Sequence, residues 1–376
     1  MNMKKNLIAL AVTAAAFASQ SSAIAAAPSI VTSPNSDAKC FAPWTAKTKM
    51  LQYAQKKGPY RIALSNGYVA NGWRIQMIQT AKAYAAQPNV AAKLKEFKVV
   101  STGDDVAAQV AAVNSFIDAG YDAIVINANN PTAFKPVIKR AHDAGIVLVS
   151  FDGVLDSEET VVVNVDQKAL GNQWADWIIK NVPNGGKLLE VRGVPGVSVD
   201  TDRHAGIQEA LSASGKKWDV VEVVGMWDDA KAQKVVADAL AVHKNFAGVM
   251  ISGGSTGSVQ AMLDAKHPMV PIGGETENGF RKLCAAHGAE GLKCLSAGSG
   301  PAQVAVAIKA AIAALEGKVI PQSVKLPLVT VEPAGLKDGD TYFAKQGNNF
   351  FVGNAFPTCG INFTAQEIMG QNQANK

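Results

Sequence analysis

From residue 61 onward, short apolar runs alternate with longer stretches whose apolar positions recur every three or four residues. RIALSN (61–66), FKVVS (97–101), DAIVIN (122–127) and IVLVSF (146–151) read as strands. The stretches near 72–86, 105–118 and 131–144 read as helices, the last closed by Gly145 at a C-terminal cap position. Strands that are continuously Val- and Ile-rich are buried on both faces, so their alternation with helices predicts a parallel sheet with helices on either side.

The pattern then starts again. Strands are predicted at 160–165, 187–191, 219–224, 246–251 and 269–274, and helices near 167–181, 200–214, 229–243 and 256–265. One sheet of this many strands is too wide for the chain, which predicts an α/β protein of two similar, doubly wound, Rossmann-like lobes. An alanine-rich helix at 301–316 comes late and is expected to return to the first lobe, so the joining hinge is crossed several times. The expected division is 40–164 plus about 300–329 for the first lobe and 165–299 plus about 330–376 for the second. Residues 40–60 and those after 333 have no clear pattern.

The first residues change the picture. Met1-Asn2-Met3-Lys4-Lys5, an apolar run over 7–18 and the small-residue stretch Ala23-Ile24-Ala25 have the order of a secretory leader, expected to occupy 1–25 and to be cleaved. Cys40 lies well beyond that zone, so a lipid-anchored N-terminal cysteine is not expected and the mature chain is read as a free periplasmic protein. Removing Lys4 and Lys5 takes the net charge from +5 to about +3. With lysines and acids interspersed, no nucleic-acid partner is expected.

Four cysteines entering an oxidising compartment permit three pairings. The simplest joins Cys284 to Cys294 across the polar segment AAHGAEGLK, and Cys40 to Cys359, tying together the two unpatterned regions. A metal site using Cys284, Cys294 and His287 is the alternative, though it falls short of four ligands. The histidines otherwise lack metal-ligand spacing, and no metal or cofactor is expected. GGSTG (253–257) has the look of a phosphate loop but lacks the following lysine.

In an open α/β sheet ligands sit beyond the carboxyl ends of the strands. There the chain places side chains that stack and hydrogen-bond: SNGYVANGWR (65–74), Asn127, SFDG (150–153), GMWDD (225–229) and Glu275. A sugar offers hydroxyls at its edge and C–H faces above and below, which such groups suit. Taken in order, IALSN with NGWR, DAIVINANNPTA, AGIVLVSFDG, NVDQKALG, VRGVPGVSVDTDRHAGI and GPAQVAVAIKAAIAALEGK resemble the ribose-binding group of type I periplasmic binding proteins over 61 to about 330.

That resemblance implies two lobes that close over one small sugar. It maps the sugar contacts onto Asn71, Trp73, Arg74, Asn127 and Asp152 in the first lobe and onto Arg203, Trp227, Gly253 and Glu275 in the second, with Ser299 nearby. Four positions depart from the ribose pattern: Gly153 stands for an arginine, Arg74 for an aromatic, Gly253 for an asparagine and Ser299 for a glutamine. A site built to bond a hydroxyl rejects an analogue lacking it by about four orders of magnitude, so ribose itself is not the expected ligand. Asp104 is expected to cap the helix that follows it, and Trp174 and Trp177 to pack.

The expected protein is therefore not an enzyme. It is a monomeric receptor for a monosaccharide or sugar alcohol that serves an ABC transporter permease in the inner membrane, with a chemoreceptor as a further candidate partner. Two alternatives keep the fold: binding of a furanosyl autoinducer, and a mainly chemotactic role. A sugar-processing enzyme would have to use Asp152 and Glu275 as a carboxylate pair. A sugar-sensing repressor would need a DNA-binding head, and no such segment is apparent.

Overall fold

The computed structural model describes residues 28–69, 71–372 and 374; the expected leader lies outside the described residues. The first sheet contains six parallel strands, β1 (Tyr60–Asn66), β2 (Leu94–Ser101), β3 (Ala123–Asn127), β4 (Val147–Phe151), β5 (Val161–Val165) and, much later, β11 (Ser323–Leu326). Their order across the sheet is β2-β1-β3-β4-β5-β11. Ile62, Ala63, Leu64, Val125 and Val149 have no exposed surface, as continuous apolar strands between two helical layers require.

The second sheet repeats the plan with β6 (Gly186–Arg192), β7 (Trp218–Val224), β8 (Gly248–Ile251), β9 (Pro271–Gly274), β10 (Lys293–Gly298) and β12 (Val329–Val331). The order is β7-β6-β8-β9-β10-β12, with β12 alone antiparallel. Each order reverses beside its first strand, and the loops leaving β1 with β3, and β6 with β8, flank those switch points. The chain passes between sheets three times, after Val165, after Gly298 and between Leu326 and Val329.

Helices α1 (Gly72–Ala85), α2 (Val106–Asp118), α3 (Lys135–Asp143) and α9 (Gln303–Leu315) serve the first sheet. The second sheet is served by α4 (Gln167–Asn181), α5 (Ser198–Ala213), α6 (Asp229–His243), α7 (Ser255–Asp264) and α8 (Asn278–His287). The cap of α2 is Asp105, not Asp104; its carboxylate accepts from the amides of Ala107 at 2.8 Å and Ala108 at 3.1 Å, one residue nearer than expected. Among the described residues no helix is long and apolar enough to cross a membrane.

Pattern reading missed α8 and β10. The segment between Cys284 and Cys294 is not all loop, because α8 runs to His287. β10 is rich in small residues for packing reasons: Ala297 lies under Trp174 of α4, whose indole nitrogen is 3.2 Å from the carbonyls of Gly274 and Ala297, and a Cβ on Gly298 would come within 1.8 Å of the Glu275 carboxylate. A Cβ on Gly273 of the neighbouring strand would come within 2.8 Å of Trp174.

Both disulfides have the simplest pairing, Cys40–Cys359 and Cys284–Cys294, so neither thiol of the second pair is free for a metal. The 40–60 segment lies on the first lobe, where Met50–Gln52 pairs with Ser29–Val31 and Val319–Pro321 and where Cys40, Phe41, Leu51 and Tyr53 are buried. The tail divides instead of staying with the second lobe as expected for 330–376. β12 joins the second sheet and Asn278 on α8 holds the backbone at 343–347, whereas Phe351, Phe356, Ile361, Phe363 and Ile368 pack into the first core.

Candidate ligand cleft

The strand ends of both sheets face one cavity. Asn71, Trp73, Arg74 and Asp152 line it from the first lobe, Arg203, Trp227, Gly253 and Glu275 from the second, and Ser299 from a crossing segment. Nine of the ten residues expected at a ligand site thus share one wall-to-wall space. Asn127 stands behind it, donating to Asp152 at 3.4 Å and accepting from the Gly153 amide at 3.1 Å.

Asp152 leaves β4 with φ of 55°, a left-handed conformation that aspartate tolerates better than most residues and that concentrates at functional sites. Its carboxylate accepts from the amides of Gln303 at 3.2 Å and Gln167 at 3.5 Å, one from each side of the crossing. An arginine at 153 is excluded by this backbone, since even a Cβ there would lie 2.3 Å from the Ala128 carbonyl.

Asn71 caps α1, its side-chain oxygen accepting from the Arg74 amide at 2.8 Å, which leaves its amide nitrogen for other partners. Trp73 is fixed by a 2.8 Å bond to the Ser299 carbonyl. Arg74 is buried, with one guanidinium nitrogen 2.8 Å from the Asn66 side chain; burial lowers its pKa and the Asp152 charge opposes that shift.

Across the cleft, Arg203 donates to Gln167 at 2.8 Å and to the Ser252 carbonyl at 2.8 Å, and pairs with Glu275 at 2.7 Å. Its guanidinium also lies over the Trp174 ring, 5.4 Å from the centroid, so this tryptophan both packs and supports a cleft residue. Asp200, three residues before it on the same helix, binds Arg192 instead, at 2.7 Å. Burial raises the Glu275 pKa, while Arg203 pulls it back.

Met226 and Trp227 take φ of 59° and 55° in succession, which turns the indole into the cleft. The ring fits because two glycines make room for it. A Cβ on Gly193 would lie 2.1 Å from the indole nitrogen and one on Gly253 would lie 2.6 Å from ring carbon Cδ1. The glycine at 253 therefore goes with the large aromatic at 227.

Sequence reasoning passed over Val199, Ser252, Glu277 and Phe351, which also line the cavity. Glu277 follows a strand end by three residues and could have been found by the same rule as Glu275. Its carboxylate accepts from the amides of Gly254, Ser255 and Thr256 at 2.8–3.0 Å and from the Thr256 hydroxyl at 3.0 Å. The amide cradle of GGSTG at the start of α7 is thus filled by the chain's own carboxyl group.

Burial, then the nearby Asp229 carboxylate, push Glu277 up to about 8 against the pull of those donors. A carboxyl with a raised folded-state pKa binds more protons folded than unfolded, so its contribution to stability falls as pH rises from about 4.5 to about 8. Asp229→Asn removes the repelling charge and retains an oxygen for the Gly257 amide, its present partner at 3.1 Å. Urea melts between pH 5 and 9 should show a shallower decline for this variant; slopes equal to the parent's would remove the pair as the cause.

Another titratable group lies on the second lobe away from the cleft. Glu190, His204 and Glu222 come from different elements, so linear spacing could not pair them, and their ligand atoms lie within 4.8 Å of one another. Arg192 already serves them, 2.8 Å from Glu222 and 3.7 Å from Glu190, which makes the group an ion-pair network.

The model of the periplasmic binding protein domain matches residues 62–319. The D-ribose/D-allose-binding protein of Pseudomonas aeruginosa is 29% identical over 219 residues, 54% of this chain and 66% of that protein. The galactofuranose-binding protein of Escherichia coli is 27% identical over 193 residues, 50% and 59% of the two chains. Among solved structures, an ABC transporter solute-binding protein from Thermobispora bispora superposes with a TM-score of 0.66 at 29% identity, over 72% of this chain and 84% of the other. The chain spans about six tenths of the length of the curated relatives it matches. With a family model over more than half its residues and the two-sheet architecture to match, the chain belongs to the periplasmic binding protein domain family.

Proposed function

We propose that this protein is the exported, monomeric solute receptor of an ABC transporter, capturing one uncharged monosaccharide or sugar alcohol in the periplasm and presenting it to an inner-membrane permease. The supporting observation is the cleft itself: two tryptophans from opposite lobes enclose a space in which Arg74 and Arg203 balance Asp152 and Glu275, while the third acid, Glu277, is turned onto the amides of 254–256 and has its pKa pushed up to about 8. Such a lining neutralises itself, so it favours a neutral ligand rich in hydroxyls over an anion or cation. The relatives named for ribose, allose and galactofuranose bear on the same ligand class.

In this reading Trp73 and Trp227 cover the C–H faces, while Asn71, Asp152, Arg203 and Glu275 bond hydroxyls and Asn127 orients Asp152. Contacts to both lobes exist together only when the lobes are closed. That difference in affinity drives closure, and the closed form is what a permease, or a chemoreceptor, would recognise.

A melting-shift screen over pentoses, hexoses, polyols and a furanosyl autoinducer tests the proposal. A ligand present at about 100 times its Kd should stabilise the protein by about 2.7 kcal/mol. Asp152→Asn keeps the left-handed backbone accessible and should abolish the shift while circular dichroism shows the protein still folded, with a lower unliganded melt because Arg74 loses a countercharge. A response to amino acids or nucleosides alone would sink the sugar assignment.

A further inference from the structure

The tail crosses the cleft mouth as a strap bonded to both lobes. Gln76 on α1 grips Phe351 at both backbone groups, donating to its carbonyl at 2.9 Å and accepting from its N–H at 2.8 Å. Its neighbours bind the second lobe: Val352 donates to the Thr276 carbonyl at 3.0 Å, and the Asn278 amide donates to the Phe350 carbonyl at 2.7 Å. The strap also lies too close to the crossing segment for any side chain there, since a Cβ on Gly300 would be 2.0 Å from the Gly353 carbonyl.

Phe351 thereby sits between two spaces. The cleft, which we call the inner space, and an adjoining space lined by Gly72, Asp228, Asp229 and Asn349, the outer one, share four lining residues, Asn71, Trp227, Glu277 and Phe351. All four border both spaces. Phe351 differs from the other three, because its side chain has no bonding duty while its backbone is held on both sides.

We infer that Phe351 is a specificity-determining residue, the partition that confines the site to ligands of a single ring or one short polyol chain. It is supplied by the tail rather than by either lobe. Its ring closes the inner cavity behind the ligand and excludes a second sugar unit from the outer one. This rests on the sugar or polyol reading for the identity of the ligand, but not for the existence of the wall.

The test compares the full-length protein with Phe351→Ala and Phe351→Leu, titrating calorimetrically with the monosaccharide or polyol that binds the parent and with disaccharides that contain it. Phe351→Ala should weaken the single-unit ligand by about tenfold or more and gain measurable disaccharide binding, with Phe351→Leu between the two. Unchanged preference in Phe351→Ala overturns the inference. A crystal structure of unliganded Phe351→Ala reads the wall independently: one merged cavity supports the inference, and two cavities still divided overturn it. A parent that binds no sugar or polyol refutes the function proposed above and leaves the crystallographic result to decide the partition.

Discussion

Replacing Arg203 by methionine should destabilise the protein by about 3–5 kcal/mol, the cost of removing one partner from a buried ion pair. The side chains of Arg203 and Glu275 are only 4% and 5% exposed, and the guanidinium also satisfies Gln167 and the Ser252 carbonyl. Without it Glu275 keeps only the Thr276 amide at 3.1 Å and faces the Asp152 charge. Burial already raises its pKa, and losing the cation must raise it further, so the variant should be worse at pH 8 than at pH 5. Adding Glu275→Gln removes the stranded charge and should recover most of the stability and flatten that pH dependence. Sugar binding should remain lost in the double variant, since neither side chain can then bond a hydroxyl with a full charge. Urea denaturation of the four-member cycle measures this; an Arg203→Met protein as stable as the parent would mean that the pair is not what holds this part of the cleft.

The same pair illustrates how much could be read from the chain alone. Glu275 and Arg203 follow from strand-end position and family resemblance, because buried parallel strands announce themselves as Val and Ile runs and their ends fix where the cleft must be. β1, β4 and β6 were legible for that reason. β10 was not, because Trp174 and the Glu275 carboxylate demand small residues at 297 and 298 and Ser-Ala-Gly sequences carry no strand signature. The Asp104 and Asp105 pair shows the limit of cap prediction, since two adjacent aspartates differ only in which carboxylate the backbone turns inward. Gly253 and Gly153 looked like lost hydrogen bonds. Their meaning is steric: one admits the Trp227 indole and the other lies against the Ala128 carbonyl, relations between segments far apart in sequence. Phe351 was invisible for a different reason. The tail is positioned by bonds to Gln76, Thr276 and Asn278, not by any periodicity of its own.

The tail's covalent tether should matter more to stability than its modest surface suggests. Cys40 and Cys359 are 319 residues apart in sequence, so their bond restricts nearly the whole unfolded chain. By the loop-entropy relation, replacing both with serine should cost about 6 kcal/mol, against about 3 kcal/mol for the ten-residue separation of Cys284 and Cys294. The ranking is the sharper part of the prediction, because it opposes what local packing implies. Both pairs are buried, and the short one joins α8 to β10, an interior strand of the second sheet, whereas the long one fastens only a tail. Ligand affinity should respond differently. Phe351 is held by Gln76 and by the backbone of 276–278, so the Cys40→Ser, Cys359→Ser protein should keep the parent's affinity while melting far lower. Calorimetric melts and ligand titrations of both double variants separate the two effects. If losing the short disulfide proves the costlier change, native packing and not chain entropy governs. If affinity falls together with stability on losing the long one, the strap depends on its tether and its hydrogen bonds to the two lobes are insufficient to hold Phe351 in the cleft.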